Sequence, residues 1–297
     1  MRPTVHAEEV HAVEVEDVQY AAPAGERLLA RVYRPRGGGP YPALVDVHGG
    51  AWSHFDRTVD ANICRALAAR GMVVVALDFR QAPDHGYPTA VADVVAGLRF
   101  VRDAGAELGA LAAPPGLVGG SSGGHLALLA ALRPNAAEYA TTSSLGTAPV
   151  AAAPLAVAYV LALWPVADPL TRYHYLRERM TDPVPPRDRF FRPEHLKAAH
   201  DAFFGDAATM ERASVPRIVA AGEHEALPPL WIAHPELDEN VTLPMSEGLR
   251  DVWRSAGGEA ALEVFPGVGH SFANFPGGAA TACIRAMQRF VAVQLAR

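Results

Sequence analysis

Three stretches of this sequence set chemically capable side chains among glycines. LVGGSSGGHLALLAAL, Leu117 to Leu132, places two adjacent serines where a short apolar run gives way to a 3.6-residue period. A hydroxyl at such a strand-to-helix turn is lifted clear of the sheet and backed by a helix N-terminus, which is what a serine nucleophile needs. Glycines at 119 and 123 allow the sharp turn without Cβ clashes. Both GGSSG, centred on Ser121, and GSSGG, centred on Ser122, fit G-x-S-x-G, so the residues alone leave two candidates. A turn with serine as a plain helix cap is the non-chemical alternative.

The second stretch, DVHGGAW from Asp46 to Trp52, follows an apolar run about seventy residues before the serines. Glycines there let backbone N–H groups approach a substrate carbonyl, and the expected oxyanion donors are Gly50 and Ala51. His48 is expected to orient this loop rather than carry a proton, and Trp52 to serve either as substrate wall or as packing. The third stretch, FPGVGHSF from Phe265 to Phe272, puts His270 in a glycine loop after a strand-like run. The acid is less direct. LWIAHPELDENV reads as a buried strand with an acidic loop, nominating Asp238, 32 residues before His270, with Glu236 and Glu239 next. VPRIVAAGEHEA offers a competing strand followed by Glu223 and Glu225.

Positioning such groups takes a scaffold, and the hydrophobic pattern supplies one. Strand-like runs at 13–20, 28–33, 41–48, 72–77, 116–119, 154–163, 230–233 and 261–265 alternate with helical periods at 58–70, 88–102, 122–132, 244–255 and 279–296. That alternation predicts an α/β fold, an eight-stranded and mostly parallel sheet with helices on both faces. From 165 to 226 the pattern breaks into prolines and aromatics, read as a helical cap inserted into a core made of 1–164 and 227–297. Active-site loops sit at the carboxyl ends of parallel strands, so this insertion should roof the site, with Trp52, Trp164, Phe203 and Phe204 expected to line the substrate pocket.

Half of the 297 residues are hydrophobic, enough for a large core, and the net charge of −6 with scattered Lys and Arg argues against nucleic acid as a partner. The acidic first eighteen residues carry no apolar run, and no stretch reaches the roughly 20 apolar residues of a membrane span, so a soluble, cytoplasmic protein is expected. Two cysteines, Cys64 and Cys283, offer neither a disulfide framework nor a metal pair and read as packed thiols.

Taken in order, HGGAW, DFRQAPDHGYP at 78–88, GGSSGGHLA and GVGHSF resemble the bacterial branch of the hormone-sensitive lipase family of α/β-hydrolases, and the small acetyl and feruloyl esterases. The resemblance implies the α/β-hydrolase fold and the chain order Ser, acid, His. Aligning GGHLA with the family form selects Ser121 as nucleophile and leaves Ser122 to donate its backbone N–H to the oxyanion hole, chain order selects His270 as base, and PELDENV is similar to G-T-x-D-x-N-V, whose Asp is the acid, here Asp238. Pro235, Glu236, Ser122 and His125 depart from the usual residues. The implied function is serine carboxylesterase action on small esters, through an acyl-enzyme, with no metal or organic cofactor. A small-molecule ester is the expected partner, with neither nucleic acid nor membrane; a homodimer is compatible with the sequence. An arylformamidase-like amidase and a non-catalytic ligand-binding module on the same fold are the alternatives.

Overall fold

The computed structural model describes residues 10–140, 154–188 and 191–297. Its strands are β1 (Val13–Ala21), β2 (Leu28–Pro35), β3 (Ala43–Val47), β4 (Val73–Leu77), β5 (Gly116–Gly120), β6 (Val160–Leu163), β7 (Leu230–Pro235) and β8 (Ala260–Phe265). They form one sheet in the order β1-β2-β4-β3-β5-β6-β7-β8. The β1–β2 and β2–β4 pairings are antiparallel and all the others parallel, so β2 alone runs against the rest. The expected eight-stranded, mostly parallel sheet is present.

Period-two alternation sends the side chains of the central strands into two separate cores. Val45, Val47, Val75 and Leu77 face one side with α2 (Thr89–Asp103), α4 (Ser122–Leu132) and α9 (Leu243–Ser255). Leu44, Val74, Val118 and Leu161 face the other, against α1 (Ala61–Ala68) and α10 (Gly278–Leu295). Such strands, covered on both faces, read as unbroken Val/Leu runs in the sequence. Cys64 and Cys283 are free and buried in the second core. A short α3 (Gly105–Leu108) precedes β5.

Two boundaries differ from the sequence pattern. The run expected as a strand from 154 becomes one only at Val160, where pairing with β5 and β7 begins. VPRIVAA is not a strand but α8 (Val215–Ala220), started by Ser214, whose hydroxyl accepts from the Arg217 N–H, and by Pro216 inside the first turn. Between β6 and β7 it follows α5 (Pro169–Thr181), α6 (Pro193–Phe204) and α7 (Ala207–Arg212). α8 packs against α4 and α9, so the end of this segment joins the helix layer of the sheet. Among the described residues no helix is long and apolar enough to cross a membrane.

Candidate active site

Ser121 is the joint between β5 and α4, with φ 55° and ψ −121°, a conformation that costs a non-glycine residue about 1–3 kcal/mol. Its N–H donates to the Leu163 carbonyl (2.9 Å), and its own carbonyl accepts from Val166 (3.1 Å) and His125 (3.2 Å). The flanking glycines are demanded by backbone approach: a Cβ at 119 would lie 2.6 Å from the Gly123 oxygen, and one at 123 would lie 2.0 Å from the Val47 oxygen. Gly123→Ala is therefore expected to lower stability by about 3 kcal/mol or more, read as a fall in Tm. Gly248→Ala, on α9 with nothing within 4 Å, should leave Tm unchanged or raised.

His270 follows β8, and its Nε2 stands 3.0 Å from Ser121 Oγ. Its Nδ1 stands 2.8 Å from Asp238 Oδ2. Asp238 Oδ1 accepts the N–H groups of Asn240 (2.7 Å) and Val241 (3.0 Å), so the loop after β7 grips one carboxylate oxygen and leaves the other for the imidazole. The competing acids are engaged elsewhere. Glu236 accepts from the Gly267 N–H (2.8 Å), and Glu239 from the Asp188 N–H (2.6 Å). Glu223 pairs with Arg217 and Glu225 with Asn135.

The HGGAW loop lies against this turn: a Cβ on Gly49 would be 3.0 Å from the Gly120 oxygen and 3.5 Å from Ser121 Cβ. Gly50, Ala51 and Trp52 have φ of 117°, 52° and 61°, three positive values in succession. Among the described residues none accepts a hydrogen bond from the backbone N–H of Gly50, Ala51 or Ser122, so these donors are unspent. DFRQAP braces the far end of the loop. Asp78 accepts from the Arg57 N–H (2.8 Å) and Nη1 (2.7 Å), Gln81 Nε2 donates to the Phe55 carbonyl (2.9 Å), and the Ala82 N–H donates to the Trp52 carbonyl (3.0 Å). Arg80 forks onto the buried Asp93 of α2. His48 is fully buried, stacks on Phe79 at 4.3 Å and contacts the Gly49 carbonyl at 2.7 Å. Burial pushes its pKa below the ordinary value, leaving a neutral ring that shapes the loop.

The four aromatics expected to line a pocket are buried. Trp52, Trp164, Phe203 and Phe204 expose 4% or less of their surface. Trp52 stacks on Phe203 (5.3 Å, 6°) and meets Phe204 edge-on (5.0 Å, 78°), fastening the HGGAW loop to α6. Trp164 lies beside the imidazole, its ring 6.0 Å from that of His270 and 5.2 Å from Phe272. Aromatic residues scattered through a proline-rich insertion look alike in sequence whether they meet substrate or one another. Their burial moves the expected effect of Phe203→Ala from selectivity to stability.

Two groups near the site left no sequence signal. Arg172, on α5, is buried against the acid loop. Asp46 and Asp60 are buried close together on β3 and before α1, where Asp60 accepts from Asn274 of the histidine loop. Asn62 Nδ2 reaches the Ala273 carbonyl at 2.8 Å. Burial raises both carboxyl pKa values, and the charge of Asp60 raises that of Asp46 further. The folded chain thus holds protons that the unfolded chain releases. Stability is fully present below about pH 4, the range where unfolded carboxyls titrate, and is lost as pH rises toward neutrality. Tm should accordingly decline over that interval, and Asp60→Asn should flatten the decline; an identical slope in the variant would exclude this pair as its source.

A family model described as the alpha/beta hydrolase fold matches residues 44–274, most of the chain and every element that carries the site. The chain belongs to the α/β-hydrolase family. Among relatives of this α/β-hydrolase, Carboxylic ester hydrolase LipN of Mycobacterium tuberculosis is 40% identical over 116 residues, 38% of this chain and 31% of LipN. Esterase LipQ of the same organism is 26% identical over 271 residues, 88% of this chain and 58% of LipQ. The matches thus span less than two thirds of those relatives. A thermostable esterase from Pseudomonas putida superimposes with a TM-score of 0.74 over 95% of this chain and 83% of its own, at 23% identity, a likeness of fold.

Proposed function

We propose that this α/β-hydrolase cleaves small carboxylic esters through an acyl-enzyme on Ser121. The observation that carries the reading is the continuous relay from Ser121 Oγ through both nitrogens of His270 to Asp238, at 3.0 and 2.8 Å. His270 Nε2 takes the hydroxyl proton as Oγ attacks the ester carbonyl, and Asp238 holds the Nδ1–H tautomer and balances the imidazolium. The carbonyl oxygen becomes an oxyanion facing the unspent N–H groups of Gly50, Ala51 and Ser122. The tetrahedral adduct collapses and breaks the C–O bond to the alcohol, which leaves with the proton held on Nε2. Water, deprotonated by the same nitrogen, then attacks the acyl-serine and frees the acid and the hydroxyl. No step calls for a metal or organic cofactor.

The printed names of the relatives, carboxylic ester hydrolase and esterase, support ester over amide as substrate. A Lactobacillus esterase inhibited by a tributyrin phosphonate and a Thermogutta esterase with propionate bound support short acyl groups. The 165–226 segment, carrying α5 to α8, is taken as the roof of the site, because α5 rests on the loop that bears Asp238. The acyl pocket beneath this segment is expected to be compact. The test is a series of p-nitrophenyl esters, with N-formylkynurenine as the amide probe. kcat/KM is expected to be highest for acetate to butyrate and to fall by about tenfold or more by laurate. A maximum at laurate would sink the short-acyl reading, and faster turnover of the formamide would sink the ester reading.

A further inference from the structure

A buried cation stands behind the acid in a place the relay does not require. Arg172 is 2% exposed and sits on α5, an element of the roof rather than of the sheet. Its Nε donates to the Asn240 carbonyl at 2.7 Å, and Nη2 lies 3.5 Å from Asn240 Oδ1. Asn240 is the residue whose N–H grips Asp238 Oδ1. The same helix sends the Tyr175 hydroxyl to the Glu239 carbonyl at 2.9 Å and Arg179 to the Glu239 carboxylate at 3.7 Å. Burying a guanidinium is costly unless its charge is met, and the acidic groups that act on it are Asp238 and Tyr175. Burial pulls its pKa down to about 10, which leaves it charged at neutral pH.

Resting on the esterase reading above, we propose that Arg172 is a positioning residue for the charge relay, holding the 238–241 loop in register and tempering the negative potential that Asp238 exerts on His270. Two consequences follow from one side chain. Its hydrogen bonds fix Asn240, hence the direction of the Asp238 carboxylate. Its positive charge opposes that of Asp238, so its removal is expected to leave the carboxylate's attraction for the imidazolium unopposed. The other titratable groups around the pair are His234 on β7, Tyr175 and Arg179 on α5, the buried His200 on α6, whose protonation the charge of Arg172 opposes, Glu239 on the acid loop and Asp188 beside Gly269.

The experiment compares pH profiles of kcat/KM for p-nitrophenyl acetate, together with kcat, KM and Tm, in Arg172→Gln, Arg172→Lys and Arg179→Ala. Arg172→Gln should lower kcat about tenfold with little change in KM, and should move the acid limb upward by about half a pH unit or more. Arg172→Lys keeps the charge but loses the Nε bond to Asn240, so kcat should fall about fivefold with the limb within about 0.2 of wild type. Arg179→Ala, which removes the ion pair to Glu239 together with the pairings to Asp182, the Val184 carbonyl and the Phe191 ring but leaves the Arg172–Asn240 bond, should leave the limb in place. A glutamine variant with the wild-type limb, or one whose only loss is in Tm, overturns the proposal. If the glutamine variant does not fold, the lysine variant decides alone: wild-type kcat, or a limb displaced upward, overturns it. Failure of the esterase reading would show separately, as absence of turnover and of fluorophosphonate labelling in the unchanged protein.

Discussion

Replacement of Ser121 by alanine is expected to abolish covalent labelling by a fluorophosphonate probe and to lower kcat for p-nitrophenyl acetate by about 10⁶-fold, the scale on which a serine nucleophile contributes. The variant should stay folded, since the positive φ at 121 suits alanine no worse than serine and the turn is held by backbone bonds to Leu163, Val166 and His125. Ser122→Ala separates the two readings of the doubled motif. The Ser122 side chain is buried, with its hydroxyl unpartnered among the described residues, and the function proposed for this position belongs to its N–H, which alanine keeps. Labelling of Ser122→Ala should remain within about threefold of wild type. Labelling lost in Ser122→Ala and retained in Ser121→Ala would exchange the two serines.

Asp238→Asn is expected to cost about 10⁴ in kcat at neutral pH. The asparagine can keep its oxygen on the N–H groups of Asn240 and Val241, which the carboxylate already occupies at 2.7 and 3.0 Å. Its NH₂ then faces His270 Nδ1 and enforces the tautomer protonated on Nε2, which cannot take the Ser121 proton. Rescue by a neighbour is blocked, because Glu236 is pinned to the Gly267 N–H and Glu239 to the Asp188 N–H and Arg179. Glu223→Gln, which breaks only a pairing with Arg217 beyond α8, should leave kcat within about twofold. Steady-state assays on the two variants decide between the loops; an inactive Glu223→Gln beside an active Asp238→Asn would reverse the assignment of the acid.

What was legible in the sequence follows a physical division. The sheet was, since strands covered on both faces leave unbroken apolar runs and their crossover helices leave a 3.6-residue period. The positions of Ser121 and His270 were readable because each sits where backbone geometry demands glycine, and that demand is local to a few residues. Asp238 was harder. Its loop and the one at 223 both follow apolar runs, and only the Ser214 cap with Pro216 marks the second run as a helix. The surroundings of the four aromatics were not legible, because hydrophobic size does not say which neighbour will cover it. Arg172 and the Asp46–Asp60 pair were invisible, for their partners lie tens to hundreds of residues away and answer to no spacing rule.

The attachment of α5 to the acid loop bears on how substrate enters. A flap that lifted to admit a lipid would carry Arg172 and Tyr175 away from Asn240 and Glu239, and would strip Phe203 from Trp52 on the oxyanion side. Opening would therefore dismantle both halves of the catalytic apparatus at once. On the proposed esterase reading, a roof tied down this way is expected to stay in place while small esters enter. The rate should rise smoothly with dissolved substrate and show no jump when the substrate begins to form droplets, the behaviour that separates an esterase from a lipase activated at an oil–water interface.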